Sequence, residues 1–440
     1  MPEIENLIVY SDYFLLLPYA VLFFFIMKYF IFKNLDSQGY RLLALFLTCK
    51  VLFVIIHALM VVYVWKLADS LYVYLESQNL VNLIKADFSN IKYLFTPAES
   101  YVHYLSSDHS VKGAIGSGSE NNFFLTRFCT ILYPFAFGKY LLISFGYCAV
   151  STVAIFKLYL VLIKIYPHIK RGIALCLLFL PTVLMYGSPI YKETLCFAAM
   201  CFAASNLYHI TRKESVYTNI LFLGLNLFFV VLLKPYVIFS ILFSLFLAIL
   251  IGILHKVYRK NIIGKIFSVG IILGIIFLLV TYLSDFDPYI VEFVDTSNMY
   301  QNLYNDGSSM ASFEIGEIQS TFWGILSKSP LGFYTTYFRP NLWEAKNLVL
   351  LFSALEAFAL LLMVLYSLFK RGKYLFALLK ESFISRVLFL YIIIMGMIIG
   401  LTTFNFGTLI RYKVPVVPFL WIFALLLSNY RKEKTAGGNT

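Results

Sequence analysis

The chain has 440 residues, of which 60% are hydrophobic, 18% aromatic and only 13% charged, and its mean hydropathy is +0.81. No water-soluble core needs that much apolar surface, so composition excludes an ordinary soluble domain and indicates a membrane protein. The formal charge of +12 does not point to nucleic acid, because the basic residues are spread over short segments between apolar stretches instead of forming one polar domain.

A helix crosses the hydrocarbon layer with roughly 20 mostly apolar residues. The sequence lacks the ten-residue alternation of a membrane β-barrel, so the expected fold is all-α. Eleven spans are predicted, near residues 12–32, 42–65, 138–163, 172–187, 194–210, 217–233, 236–254, 263–283, 347–369, 386–402 and 409–428. They form a single membrane domain over 1–440, with a short tail at 429–440. The segment before the first span is acidic and lacks the basic region and small-residue cleavage site of a secretory signal, so that span is expected to be retained. Cys49, Cys129, Cys148, Cys176, Cys196 and Cys201 lie mostly in apolar stretches without a CxxC pair, and read as small core residues.

Orientation follows from Lys and Arg. One set of connecting segments carries 20 of them against four acids, Asp36, Glu214, Glu381 and Glu433, whereas the opposite set carries about 13 against about 18 acids. The positive-inside rule then puts the N-terminus outside and the C-terminus in the cytoplasm. Two connections are too long to be simple turns, and both fall outside. The first, 66–137, has apolar residues at helical spacing (Leu71, Tyr72, Leu75; Leu80, Val81, Leu83, Ile84) and a Gly/Ser tip over 113–119, which predicts interfacial amphipathic helices around one flexible loop. The second, 284–346, opens acidic (Asp285, Asp287, Glu292, Asp295) and closes on an aromatic and basic run. Loops of that length are usually functional or disordered, and the aromatic content speaks against disorder.

Along the chain, the first candidate is Asp69, a carboxylate just after the second span. It suits a general base or metal-neutralising group, or simply an interfacial acid. The junction Tyr186-Gly-Ser-Pro-Ile-Tyr-Lys-Glu193 follows: Gly187 and Pro189 break the helix, and Lys192 and Glu193 open the next one. Exposed amides and a Lys at a helix start suit a phosphate, while a neutralised Lys/Glu turn is the plainer alternative. Lys234-Pro235-Tyr236 repeats the pattern at a second outer junction, where snorkelling of Lys234 is the alternative. Asn305-Asp306-Gly307-Ser308-Ser309 reads mainly as a turn. In Thr335–Glu344, Arg339 offers a fork for phosphate or carboxylate, Trp343 a face for a sugar ring, and Glu344 a carboxylate for acid/base work. Last, Arg411 and Lys413, ahead of Pro415 and Pro418, suggest an irregular helix start whose cations line a polar cavity. Lys50 and Lys157 are expected to be paired with polar neighbours or snorkelled, and Glu356 reads either way. There is no HExxH, P-loop, GxGxxG or nucleophile elbow, so no nucleotide is expected; a divalent metal is left open.

The arrangement resembles bacterial multi-span glycosyltransferases of the GT-C type and the O-antigen or exopolysaccharide polymerases. The resemblance rests on the long outer loop headed by Asp69, on Pro181 with Gly187, Ser188, Lys192 and Glu193, on Arg339-Pro340…Trp343-Glu344, and on Arg411-Tyr412-Lys413…Pro415…Pro418. Two features depart from that family: the long loop follows the second span instead of the first, and Asp69 stands alone where an acidic pair is usual. What the resemblance implies is transfer of a sugar or glycan from a polyprenyl phosphate or pyrophosphate carrier to a glycan acceptor, on the outer face of the bacterial cytoplasmic membrane. Lys192, Lys234, Arg339, Trp343, Arg411 and Lys413 would bind the donor, and Asp69, Glu193 or Glu344 would take the proton. A transporter or flippase for a lipid-linked glycan, and a non-enzymatic envelope-assembly scaffold, are the alternatives.

Overall fold

The computed structural model describes residues 8–65, 68–107, 119–258, 270, 287–305 and 311–430. Among them the chain is helical, with one isolated antiparallel bridge between Ser312 and Asn405. Eight helices are long and apolar enough to cross a membrane, or nine if a bent pair near the C-terminus counts as one. The protein is an all-α membrane protein. It divides into two compact units, Met1–Ile238 and Phe239–Thr440.

The first unit opens with α1 (Tyr10–Ile26) and α2 (Ser37–Met60), each extended by a π-helical turn, Met27–Ile31 and Val61–Trp65. The polar helices α3 (Asp69–Ala86), α4 (Ala98–Ser107) and α5 (Glu120–Leu132) follow, with a 3-10 segment at Phe88–Leu94. They fill much of the predicted first loop, whose tip at 113–118 lies outside the described residues. Leu80, Tyr93, Ala98, Tyr101, Leu105 and Phe123 form a small core of their own, so these helices pack as a module.

Next come α6 (Tyr140–Ile165), α7 (Lys170–Leu178), α8 (Pro181–Tyr186), α9 (Lys192–Thr211) and α10 (Val216–Leu233). The predicted span 172–187 is therefore two short helices. Pro181 is the first residue of α8, and it has no N–H with which to continue α7. α9 packs against α6 and α10 and buries the small residues Ala198, Ala199, Cys201 and Ala203; small residues allow close helix approach where lipid offers no hydrophobic drive. The first turn of α1 is held by an ion pair. Asp12 is fully buried and its Oδ1 lies 3.0 Å from Lys139 Nζ, while Tyr19 donates to the Phe135 carbonyl at 2.6 Å. Its other faces carry exposed Phe14, Leu17 and Leu22, as lipid contact requires.

α11 (Pro235–Tyr258) leads into the second unit, which continues with α12 (Asp287–Asn305), α13 (Phe322–Phe338), α14 (Leu348–Arg371), α15 (Leu375–Glu381) and α16 (Phe383–Thr402). The predicted span at 263–283 lies outside the described residues, apart from Gly270. α17 (Phe406–Tyr412) and α18 (Val417–Asn429) form the bent pair, meeting at 60°. The predicted span 409–428 is this bent pair, with the irregular helix start expected there: Pro415 lies in the break and Pro418 in the first turn of α18. The tail at 431–440 lies outside the described residues.

Candidate functional site

The predicted site residues fall into two groups, one in each unit, with Asp69 and Lys192 at helix starts. Asp69 is the first residue of α3 and exposed, where its charge complements the helix dipole. Lys192 is half-buried at the start of α9.

In the first unit, Glu193 and Lys234 form an ion pair with Oε1–Nζ at 2.7 Å. Both side chains are 3% exposed, and Lys234 also donates to the Tyr236 hydroxyl at 3.0 Å. The proline that opens α11 leaves Lys234 as the cap of α10, and this aims its ammonium at the first turn of α9. Two deeper residues, seven apart on one face of α2, hold the same break. Lys50, fully buried, donates to Ser151 Oγ and, at 2.8 Å, to the Gly187 carbonyl. His57 Nε2 lies 2.9 Å from the Tyr191 hydroxyl. The expectation of polar neighbours for Lys50 is met, whereas His57 was missed; its spacing from Lys50 is the signal that could have found it.

In the second unit the geometry centres on Arg339. Its Nε donates to Glu344 at 3.0 and 3.2 Å and its Nη2 bonds the same carboxylate. The guanidinium carbon lies 4.4 Å from the ring centre of Phe313 and 5.4 Å from that of Phe406, and these two rings stack at 4.6 Å. The bridge of 312 to 405 sets those two phenylalanines side by side. Planar, weakly hydrated guanidinium is the cation that such faces hold. Glu344 also accepts from the backbone and side-chain amides of Asn341, at 2.7 and 3.0 Å. Burial alone would raise its carboxyl, but the Arg339 and Asn341 hydrogen bonds outweigh that and hold it below the usual value. It is better placed to fix the cation than to take a proton near neutrality.

Lys413 is buried at the break between α17 and α18, and its Nζ donates to the Arg339 carbonyl at 3.2 Å. The charge of Glu356, on α14, acts on it. Arg411, two residues earlier, is half-buried. Trp343 is 82% exposed on the 3-10 turn Leu342–Glu344. Residues 306–309 of the predicted turn lie outside the described residues.

Glu76 is a carboxylate that the sequence reading passed over. It sits on α3, where Thr126 donates to its Oε2 at 3.2 Å, while its buried Oε1 has no hydrogen-bond partner among the described residues. Burial pushes its carboxyl up to about 7 against the Thr126 bond. In sequence it is one polar residue among many on an amphipathic helix. Among the described residues no three His, Cys, Asp or Glu side chains converge as a metal-holding group.

Compared with models of protein families, with curated proteins and with solved structures, the chain matches none.

Proposed function

We propose that the protein is a membrane glycosyltransferase or polysaccharide polymerase that takes a sugar or glycan from a polyprenyl phosphate or pyrophosphate carrier. In this reading it has eleven spans in the bacterial cytoplasmic membrane, with the N-terminus outside, the C-terminus in the cytoplasm, and the connections 66–137 and 284–346 on the outer side. Its partners are the lipid-linked donor and a glycan acceptor.

The observation that carries the reading is the Arg339 assembly. A guanidinium gripped by two aromatic rings and a carboxylate cannot relax toward solvent, and a second cation, Lys413, is tied to the same backbone. Cations fixed in advance stabilise charge that develops on a leaving phosphate, which is often the largest contribution to catalysis. Supporting it, the exposed Trp343 lies one residue from Glu344, within reach of a sugar face.

The test is turnover of a polyprenyl-pyrophosphate-linked oligosaccharide by purified protein in lipid vesicles. Arg411→Ala and Arg339→Ala should each reduce turnover at least roughly 100-fold. Unchanged turnover in both would remove these cations from the reaction. The bent helix pair, with Arg411 and Lys413 at its break, is the one observation favouring a transporter, since discontinuous helices bearing charge are a transporter device. Movement of the intact lipid-linked glycan across the vesicle membrane, with no new glycosidic bond, would decide for that reading.

A further inference from the structure

The connection 284–346 is too polar at its start to be taken for membrane-embedded, yet α13 near its end is packed against a membrane span in a way that fixes its depth. α13 and α16 are antiparallel and in backbone contact. A Cβ added to Gly400 would lie 1.9 Å from the Gly332 carbonyl oxygen, and one added to Gly396 would strike the Tyr337 and Phe333 rings at 2.5 and 2.8 Å. Gly396 and Gly400 form the small-xxx-small pattern by which membrane helices approach closely. Two hydrogen bonds carry the register further: Thr336 Oγ1 donates to the Gly396 carbonyl at 2.7 Å, and the Tyr337 hydroxyl to the Ile392 carbonyl at 2.6 Å.

Moving along α13 from 332 to 338 thus means moving back along α16 from 400 to about 394, with the long Tyr337 side chain reaching on to the Ile392 carbonyl. That level is eight residues from the Thr402 end of α16, about 12 Å at 1.5 Å per residue. It is more than a third of a hydrocarbon layer roughly 30 Å thick. The C-terminal end of α13 is therefore well inside the span.

Among the described residues, the face of α13 turned away from α16 is apolar and uncovered. Leu331 and Tyr334 are 38% and 36% exposed, and beyond the level of Thr402 Leu326 and Trp323 are 46% and 66% exposed. Between Leu331 and Phe338 the helix has no charged residue, and the hydroxyls of Thr336 and Tyr337 are taken up by α16 carbonyls, as a lipid surrounding demands. Its single charge, Lys328, lies on the Thr402 side of that stretch and donates to the Ile315 carbonyl at 2.9 Å. The pattern of an interfacial Trp, a Lys near it, and a deeper uncharged half is that of a segment entering a bilayer.

We propose that α13 is a membrane-inserted half-helix. Its C-terminal half enters the leaflet at the Thr402 end of α16 and presents Leu331 and Tyr334 to the acyl chains. The occupant of its outer face is lipid. This depends on α16 being a span and not on any catalytic activity.

Depth-dependent fluorescence quenching tests it on the full-length protein in phosphatidylcholine vesicles with brominated acyl chains. Trp65, Trp343 and Trp421 are replaced by Phe. One variant keeps Trp323, and two others carry Trp323→Phe with either Leu331→Trp or Tyr334→Trp. L331W and Y334W should lose emission strongly to bromines near the headgroup end of the chains and be protected from aqueous iodide. The Trp323 variant should show the reverse preference. Iodide quenching of both L331W and Y334W would place the face in water and overturn the proposal. Quenching of neither by either agent would mean protein covers the face, and would overturn it too. A second measurement guards against a fold lost through substitution: in the otherwise native chain, Leu331→Lys should lower membrane-inserted yield several-fold while Leu326→Lys leaves it near normal. Equal tolerance of both lysines would count against insertion.

Discussion

The two ion pairs at the candidate sites are chemically alike and physically different. Glu193–Lys234 is shut away, with both side chains 3% exposed, whereas Arg339–Glu344 is 14% and 18% exposed and shares its cation with two aromatic rings. A sealed pair is a lock between helices, because it holds two buried charges from separate helices against each other. A partly open pair built on a guanidinium can hold its geometry and still offer unsatisfied donors to an incoming anion.

The sharpest way to break this comparison is to remove one member of each pair. Lys234→Met leaves Glu193 buried without its counter-charge and should destabilise the protein by about 3–5 kcal/mol. Thermal unfolding in detergent measures it, and Glu193→Gln added to Lys234→Met should restore most of the loss. Glu344→Gln should leave the melting temperature nearly unchanged and lower turnover roughly tenfold, since Arg339 loses its positioning partner but not its rings. If the two sites exchanged these behaviours, lock and site would have been assigned the wrong way round.

A third prediction sharpens the picture of the α3–α5 module. The folded-state value of Glu76 is raised, from the ordinary 4.5 to about 7, so folding favours its protonated form. The module is then most stable below pH 4.5 and loses stability as pH rises through about 7. Between pH 5 and pH 8 the loss should be on the order of 2 kcal/mol. Amide exchange of α3 and α5, corrected for intrinsic rates, measures it, and Glu76→Gln should flatten the profile. The smallest effect is expected at Trp343. Its truncation to Ala should cost less than about 0.5 kcal/mol of stability, and if a sugar stacks there KM should rise while kcat holds.

Much of the helical framework could be read from hydropathy alone, because long apolar runs have no other stable form in lipid. What hydropathy missed were the interruptions. Residues 172–187 are apolar throughout, and only Pro181 marks where α7 stops. α13 was hidden for the opposite reason: Lys328, Pro330 and two threonines dilute its apolar character, and its membrane partner, the Gly396–Gly400 face, is 60 residues away. The same limit applies to the sites. Arg339 and Glu344 stand five residues apart and could be read as one cluster, as could Arg411 with Lys413. Phe313 and Phe406 come from distant segments joined by one backbone bridge, and the pairing of Glu193 with Lys234 depends on how α9 and α10 pack. Chain separation, and not unusual residue chemistry, decided what stayed hidden.

The tie between Asp12 and Lys139 has a consequence for how the protein is made. The two residues are 127 positions apart, so α1 meets the membrane long before its counter-charge has been synthesised. A lone carboxylate in an apolar segment opposes insertion by a few kcal/mol. The first helix therefore settles fully only when α6 arrives. Replacing Lys139 by Met should leave α1 slow to integrate, and a further change of Asp12 to Asn should restore it.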